Sequence, residues 1–441
     1  GWNIARESFM ESINIVSLLK LRASWGEIGN QSTGDLYPAI PGYETYEPKW
    51  INLGTGLRQT SLDPAQLVSG SFTWERVQTT NIGIDAGFLD NRLNGSLDLY
   101  ERNTIGMLSQ AQELPAILGT SAPRQNVADL RVRGWEFELG WNDRIGEVRY
   151  GLNFNLSNSD GEITKFLNEA GLISKYYVGR KIGEIWGYVT DGYYTVDDFV
   201  PGTIDADLSG ENRQLKDGVV YIENAPAPYP GDVKFKDLNG DGIISDGNNT
   251  IAPQIDPVTG EIIPGTGPGD RKVIGNNQRK FQFGLNGFVE YKGLDLSFIL
   301  SGVGKRDLNL NTDMIWPYPS VFDHIYAHQL DYWTPDNQDA FYPRVYGNPN
   351  GNTSSNYGRN RRTQTKYLSD GSYLKIQNIT LGYTFPASIT QKINVDGLRI
   401  HVAVNNLHTF DRLPVGLDPD QTANGVYPIM RNYSLGLNLT F

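Results

Sequence analysis

Cysteine is absent from the 441 residues, which removes disulfides, thiolate catalysis and cysteine-ligated zinc together. Histidine is nearly absent too: four residues leave little material for imidazole chemistry. No stretch approaches the roughly 18 consecutive apolar residues that a membrane helix needs, and mean hydropathy is −0.41. A helical membrane protein is thereby excluded. A membrane barrel is not, because its strands show half their residues to water and escape hydropathy averaging. Basic residues are in deficit, 38 Lys and Arg against 50 Asp and Glu, so the net charge of −12 argues against a nucleic-acid partner. The opening "GWNIARESFMESINIV" has neither a basic segment nor an apolar one, so no signal peptide reads there. It reads as the interior of a longer chain.

What is present is alternation. In "RNYSLGLNLTF" at the end, Tyr433, Leu435, Leu437, Leu439 and Phe441 are apolar and the residues between them polar or small. A two-residue period means a strand with one greasy and one wet face. The same pattern recurs at Leu19–Trp25, Ile82–Phe88, Leu93–Leu99, Trp135–Trp141, Tyr150–Leu156, Phe281–Tyr291, Leu294–Leu300 and Leu398–Val404. The segment Tyr373–Phe385 changes phase midway, which predicts a one-residue bulge near Gln377-Asn378. Ten strands of about ten residues follow, each long enough to cross a bilayer at a tilt.

Their connections alternate between long (27–79, 103–130, 158–279, 303–372, 406–431) and short (90–91, 143–146, 292–293) or medium (386–395). Segregated loop lengths are the plan of an all-β, antiparallel transmembrane barrel with short periplasmic turns and long extracellular loops. A soluble multi-sandwich protein has no reason to sort its loops this way. With the short turns periplasmic, the C-terminus is periplasmic as well. The greasy positions then face lipid, with Trp25, Phe88, Trp141, Tyr291 and Phe385 in the interfacial girdles. Lys20, Arg22, Glu136, Glu138, Arg399 and His401 face a lumen that holds water or a polar plug.

Six stretches carry a resemblance: "LLKLRASWGEIGNQ", "WERVQTTNIGIDAGFLDNRLNGSLDLYERNTIGML", "VGRKIGEIWGYVTDGYY", "PGDVKFKDLNGDGIISD", "YLKIQNITLGYTFP" and "LRIHVAVNNLHTF". In this order, from about residue 17 to 441, they resemble the C-terminal half of SusC/RagA-type TonB-dependent outer-membrane transporters. The resemblance implies a 22-stranded barrel of which residues 1–441 supply ten strands. The plug domain, the TonB box and the N-terminal strands then belong to sequence not in this chain. It further implies uptake of a bulky nutrient such as an oligosaccharide or peptide, driven through TonB. A SusD-like surface lipoprotein would be the lid, in an outer membrane of lipid and lipopolysaccharide. In that family the final strand with its terminal Phe441 is the signal read by the barrel-insertion machinery. Its pairing strand would lie in the part of the barrel this chain lacks.

The sharpest local motif is "DLNGDGIISDG". Asp237, Asn239 and Asp241 stand at positions 1, 3 and 5 of a calcium-type loop, Gly242 permits the turn at 6, and the Ile243 carbonyl is offered at 7. Position 12 is Asn248, not a carboxylate. A hairpin-like insertion over about 247–268 would let Asp270 or Asp246 complete a site for calcium or magnesium in a structural role. The alternative is a metal-free turn. Residues 158–279 hold 19 acidic and 11 basic residues, which a solvated loop or a partner-facing surface would both explain.

Loop aromatics Trp186, Tyr188, Tyr193, Tyr194, Trp316 and Tyr318 offer flat faces for a sugar or for the lid. Packing of loop on loop is the plainer explanation for most of them. In "DHIYAHQLDYW", His324 and His328 have helical spacing but Ile325 stands where a zinc protease needs Glu. "PGTGPGD" lacks the strand and lysine of a phosphate loop. No enzyme is expected. Competing readings are a passive porin, an adhesion barrel or a secreted carbohydrate-binding β-protein.

Overall fold

The computed structural model describes the chain apart from residues 32–39, 66, 71, 111–114, 116, 118, 121, 206–207, 209–211, 224, 313–314, 317–324, 347–357, 415 and 423–426. Ten long strands follow in chain order: β1 (Val16–Asn30), β2 (Glu75–Phe88), β3 (Leu93–Gln110), β4 (Arg124–Ile145), β5 (Val148–Lys165), β6 (Lys280–Tyr291), β7 (Leu294–Lys305), β8 (Tyr373–Thr384), β9 (Gly397–Asp411) and β10 (Asn432–Thr440). Each pairs antiparallel with the next, and the two-residue piece Trp2–Asn3 adds to the outer edge of β1. The sheet stays open: among the described residues nothing pairs with the free edge of β10.

Register turns the alternation into two continuous faces. One row runs Leu21, Ile84, Leu97, Phe137, Leu156 and Phe283 across six strands. A lower one ends Phe298, Ile379, Val404, Tyr433. Among the described residues no element covers this face; Leu435 is 77% exposed. On β6 it extends from Tyr291 to Phe281, ten residues apart. At ~3.3 Å per residue and a tilt of ~40° that is an apolar band of about 25 Å, a bilayer's hydrocarbon height. Tyr291 and Trp25 stand exposed on it, as girdle residues would.

The opposite face is polar and internally paired. Arg22 on β1 bridges Asp85 (2.8 Å) and Asp98 (2.7 Å) on β2 and β3, and Arg399 on β9 pairs with Asp295 on β7 (2.5 Å).

Turn chemistry fixes the short side. Lys292 and Gly293 both take positive φ (48° and 86°), the two-residue hairpin geometry that matches strand twist. Gly146 begins the equally short Gly146-Glu147 link, and residues 385–396 hold a helical turn, Ala387–Thr390, continued by a 3-10 turn, Gln391–Ile393. The phase change in β8 is a bulge: Ile299 opposes Asn378 while Leu300 opposes Ile376, leaving Gln377 extra.

Strand length is where the expectation fails. β4 has 22 residues and β3 and β5 have 18 each, against the ten expected. Apolar residues in the added segments, such as Tyr100, Leu130, Val132 and Ile163, fall out of phase with the rest of their strands, so the period is lost there. Cross-strand ion pairs extend the ladder instead, Arg133–Glu101 at 2.6 Å and Arg131–Glu162 at 3.3 Å. The long connection expected at 103–130 shrinks to 111–123 as a result, and that at 158–279 begins at 166.

The core of the molecule is not in the sheet. Residues buried below a tenth of their surface gather in the long connections, where Tyr188, Phe235, Ile244, Leu308, Trp316 and Tyr367 belong to one cluster. Three connections, 166–279, 306–372 and 412–431, contribute to it. Each large side chain removed from water there contributes on the order of 1.5–3 kcal/mol, so these loops fold as a module.

Candidate functional site

The loop module stands at the end of the sheet opposite the tight turns, and all the interior candidate residues lie in it. Its acidic loop closes on itself through backbone contacts. Asp237 accepts from the amides of Gly240 (2.6 Å) and Gly242 (2.9 Å), and Asp241 from that of Ile243 (3.0 Å). Asn239 donates to Asp241 (2.9 Å). Gly240 and Gly242 take φ of 77° and 84°, positions that a side chain would strain. Ile244, fully buried, then anchors the loop in the core.

The inserted hairpin is present, with Ile255 bridging Ile262, and it returns the chain so that Asp270 spans the base of the acidic loop. The Asp270 carboxylate accepts from the amides of Leu238 and Ser245, both at 2.8 Å. Burial, together with the negative charges of Asp237 and Asp241, pushes the Asp270 carboxyl above the usual range. A divalent cation would relieve that repulsion, and the donor set suits a hard cation. As placed, however, no three His, Asp or Glu side chains among the described residues are gathered tightly enough to hold a metal.

Asp246, the other candidate for completing the site, is engaged elsewhere. It accepts from Tyr188 Oη (2.6 Å) and Arg362 (3.0 Å) and faces Arg271 at 3.3 Å. Its oxygens point into the joint between two connections, not into the acidic loop.

The aromatic candidates divide. Tyr188, Tyr194 and Trp316 are each 2% exposed, which corrects the expectation that they present a face to a ligand. Tyr188 packs on Phe235 (4.9 Å between centroids) and Trp316 on Tyr367 (4.5 Å), so their area is consumed by the core. Tyr193 is half-buried and donates to the Phe341 carbonyl (2.7 Å). Trp186 is half-buried, its Nε1 donating to Tyr177 Oη (3.2 Å). Tyr318 and His324 lie outside the described residues. His328 stacks on Tyr326.

Two features have no counterpart in the sequence reading. Asp232 is fully buried, accepting from Asn360 (2.8 Å), Tyr346 Oη (2.5 Å) and the Tyr229 amide (2.8 Å). Burial raises its carboxyl. Its side-chain partners Asn360 and Tyr346 lie more than a hundred residues away, beyond the reach of any local motif. Tyr43, Tyr46 and Trp50 stand exposed in the connection 31–74. The run "YETYEPKW" at 43–50, three aromatics in eight residues, is the signal that could have found them.

The last strand pairs Leu439 with Leu398 and Thr440 with Gly397. Tyr433, Leu435, Leu437, Leu439 and Phe441 all face outward and exposed. Phe441 falls at the tight-turn end, next to the contact of the Asp396 amide with the Thr440 carbonyl (2.8 Å).

An open antiparallel meander with a lipid-height apolar band, a paired polar face and loops sorted by length defines part of a membrane β-barrel. The family model for the TonB-dependent receptor-like β-barrel matches residues 12–407, and the chain belongs to that family. It is 27% identical to TonB-dependent receptor P3 of Formosa agariphila and 26% identical to TonB-dependent receptor SusC of Bacteroides thetaiotaomicron. Both alignments take in all of this chain, which spans 41% and 39% of the respective relatives. Among solved structures, the RagAB peptide transporter superimposes over the whole chain with a TM-score of 0.67 at 20% identity, covering 42% of that molecule. At that identity the likeness concerns the fold.

Proposed function

We propose that this chain is the C-terminal barrel portion of an outer-membrane active transporter of the SusC/RagA kind. It imports a bulky nutrient, an oligosaccharide or peptide, with energy delivered through TonB. The loop module faces the cell exterior and the C-terminus the periplasm. A SusD-like surface lipoprotein caps the module, and the plug and remaining strands complete the barrel beside β1 and β10. The observation that carries this reading is the two-faced sheet with its folded loops at one end only, in a chain of the TonB-dependent receptor family. The polar face supports a hydrated or plugged interior, since ion pairs such as Arg22 with Asp85 and Asp98 need polar surroundings. This reading gives the chain no catalytic role.

The acidic loop is the second part of the proposal. Asp237, Asn239, Asp241, the Ile243 carbonyl and Asp270 would hold a structural calcium or magnesium ion once their side chains draw together. Asp246 stays outside this set.

Uptake is tested with the complete gene in a host with and without TonB, using labelled oligosaccharides and peptides of graded size. Accumulation that needs TonB is expected. Equal uptake without it would make the protein a passive channel, and release from membranes in plain buffer would make it a secreted binder. Co-purification under mild detergent tests for the lipoprotein. For the ion, calcium at a hundred times its Kd should add about 2.7 kcal/mol of stability to the module, and Asp241→Asn should abolish the gain. No response to chelation would remove the ion from the proposal.

A further inference from the structure

Lys375 on β8 is an anomaly. Its register partners Ser301 and Thr409 place it on the polar face, where a lysine is normally solvated, yet its side chain is only 6% exposed. What covers it is a short turn in the last long connection, Asp418–Gln421, closed by the Gln421 amide on the Asp418 carbonyl (2.9 Å). Lys375 Nζ reaches Asp420 at 2.7 Å and Asp418 at 3.4 Å. Asp420 also accepts from Arg279 (2.9 Å), just before β6, and from Tyr373 Oη (3.1 Å). Arg306, just after β7, donates to the Pro419 carbonyl (2.8 Å). One four-residue turn is thus gripped by side chains from the ends of three barrel strands. On its other side, Leu413 belongs to the loop core and Leu417 packs against it.

We propose that Asp418–Gln421, with Leu413 and Leu417, is a coupling strap that joins the folded loop module to the polar face of the barrel. Displacement of the module by whatever binds it is passed through Asp420 to Lys375 and so to β8. The chemistry suits a two-position device. A buried cation held by carboxylates from a separate segment adds little net stability, but it strongly disfavours half-released states, because separating the partners strands a charge away from water. The strap therefore seats or lifts as a unit. This goes beyond transport: the link would exist whatever the barrel carries.

The test is hydrogen exchange on the complete protein in detergent micelles, with Lys375→Met, Asp420→Asn and the double variant. Each single variant is expected to speed exchange of the Leu417, Asp418 and Gln421 amides at least tenfold, and of Val233 and Ile244 in the module at least threefold. The double variant should add nothing to the larger single effect, since one contact is being cut. Linkage demands the reverse too: loosening the module by Tyr188→Ala must speed exchange in the strap. Faster exchange in the strap alone would make the turn a local lock, and no change would deny the grip; either result overturns the proposal. If Asp420→Asn fails to assemble, Tyr373→Phe removes one hydrogen bond and keeps the ion pair, and the same two-site pattern is required at about fivefold in the strap.

Discussion

Tyr188 separates a loop core from a ligand platform by a graded pair of substitutions. Its hydroxyl donates to Asp246 (2.6 Å) and accepts from Arg362 (2.6 Å), and its ring lies on Phe235 with almost no exposed area. Tyr188→Phe deletes the hydroxyl and both its hydrogen bonds but leaves Asp246 and Arg362 in contact at 3.0 Å to satisfy each other, so the net loss is about 1–2 kcal/mol. Tyr188→Ala adds an aromatic-sized cavity, and the total rises to about 3–5 kcal/mol. Since 1.4 kcal/mol is a factor of ten, module opening should become about 5- to 30-fold more frequent for Phe and about a hundred- to a few-thousand-fold for Ala. Native-state proteolysis measures this, because cleavage tracks the population of the open form when reclosing is fast. The barrel's resistance to denaturing detergent before heating serves as control and should not change, because Phe235, Asp246 and Arg362, which hold Tyr188, all lie in the long connections. An alanine variant that resists proteolysis like the wild type but loses nutrient affinity would refute the core assignment and return the ring to the ligand.

The other predictions concern the lipid face, the inserted hairpin and acid stability. Leu435→Arg sets a charge on the apolar band and should cost about 2–4 kcal/mol, read as lost heat-modifiable barrel; Ser434→Arg on the polar face, opposite Ala403, should assemble normally. Removing Gln254–Thr266 should leave the module folded, with a change within about 1 kcal/mol. Pro253 and Gly267 already meet there, a Cβ on Gly267 lying 2.9 Å from Pro253 Cα, and thermal unfolding checks it. Asp246 is partly buried, which opposes ionisation, but Tyr188, Arg362 and Arg271 outweigh this and hold its carboxyl below the usual range. With the folded value depressed, its contribution is present above the unfolded value, about 3.9, and is lost as pH falls through the folded one. Module opening should therefore steepen below about pH 4, and Asp246→Asn should flatten that dependence.

The sheet was legible because a membrane strand writes its two environments into every second residue. The rows through Leu21 and Phe298, the Lys292-Gly293 turn and the bulge at Gln377 all follow from that period. Beyond the band, where Leu130, Val132 and Ile163 fall out of phase, the period vanishes and the strand ends were misplaced by up to eight residues. The loop core was illegible for the opposite reason. Tyr188, Ile244, Leu308 and Trp316 stand in short apolar pieces with no common period, and only tertiary pairing shows that they share one interior. An aromatic in such a loop carries the same letter whether it packs or binds.

The acidic loop stands between these cases. Asp237, Asn239 and Asp241 were readable because turn chemistry is local. Choosing between Asp246 and Asp270 was not, since it depends on where a hairpin returns the chain. Lys375 makes the same point from the sheet side: periodicity assigns it to water, and a turn more than forty residues on takes it out of water. What a two-residue period cannot encode is the third segment that settles onto a face. In this molecule, that is where the loops and the barrel are joined.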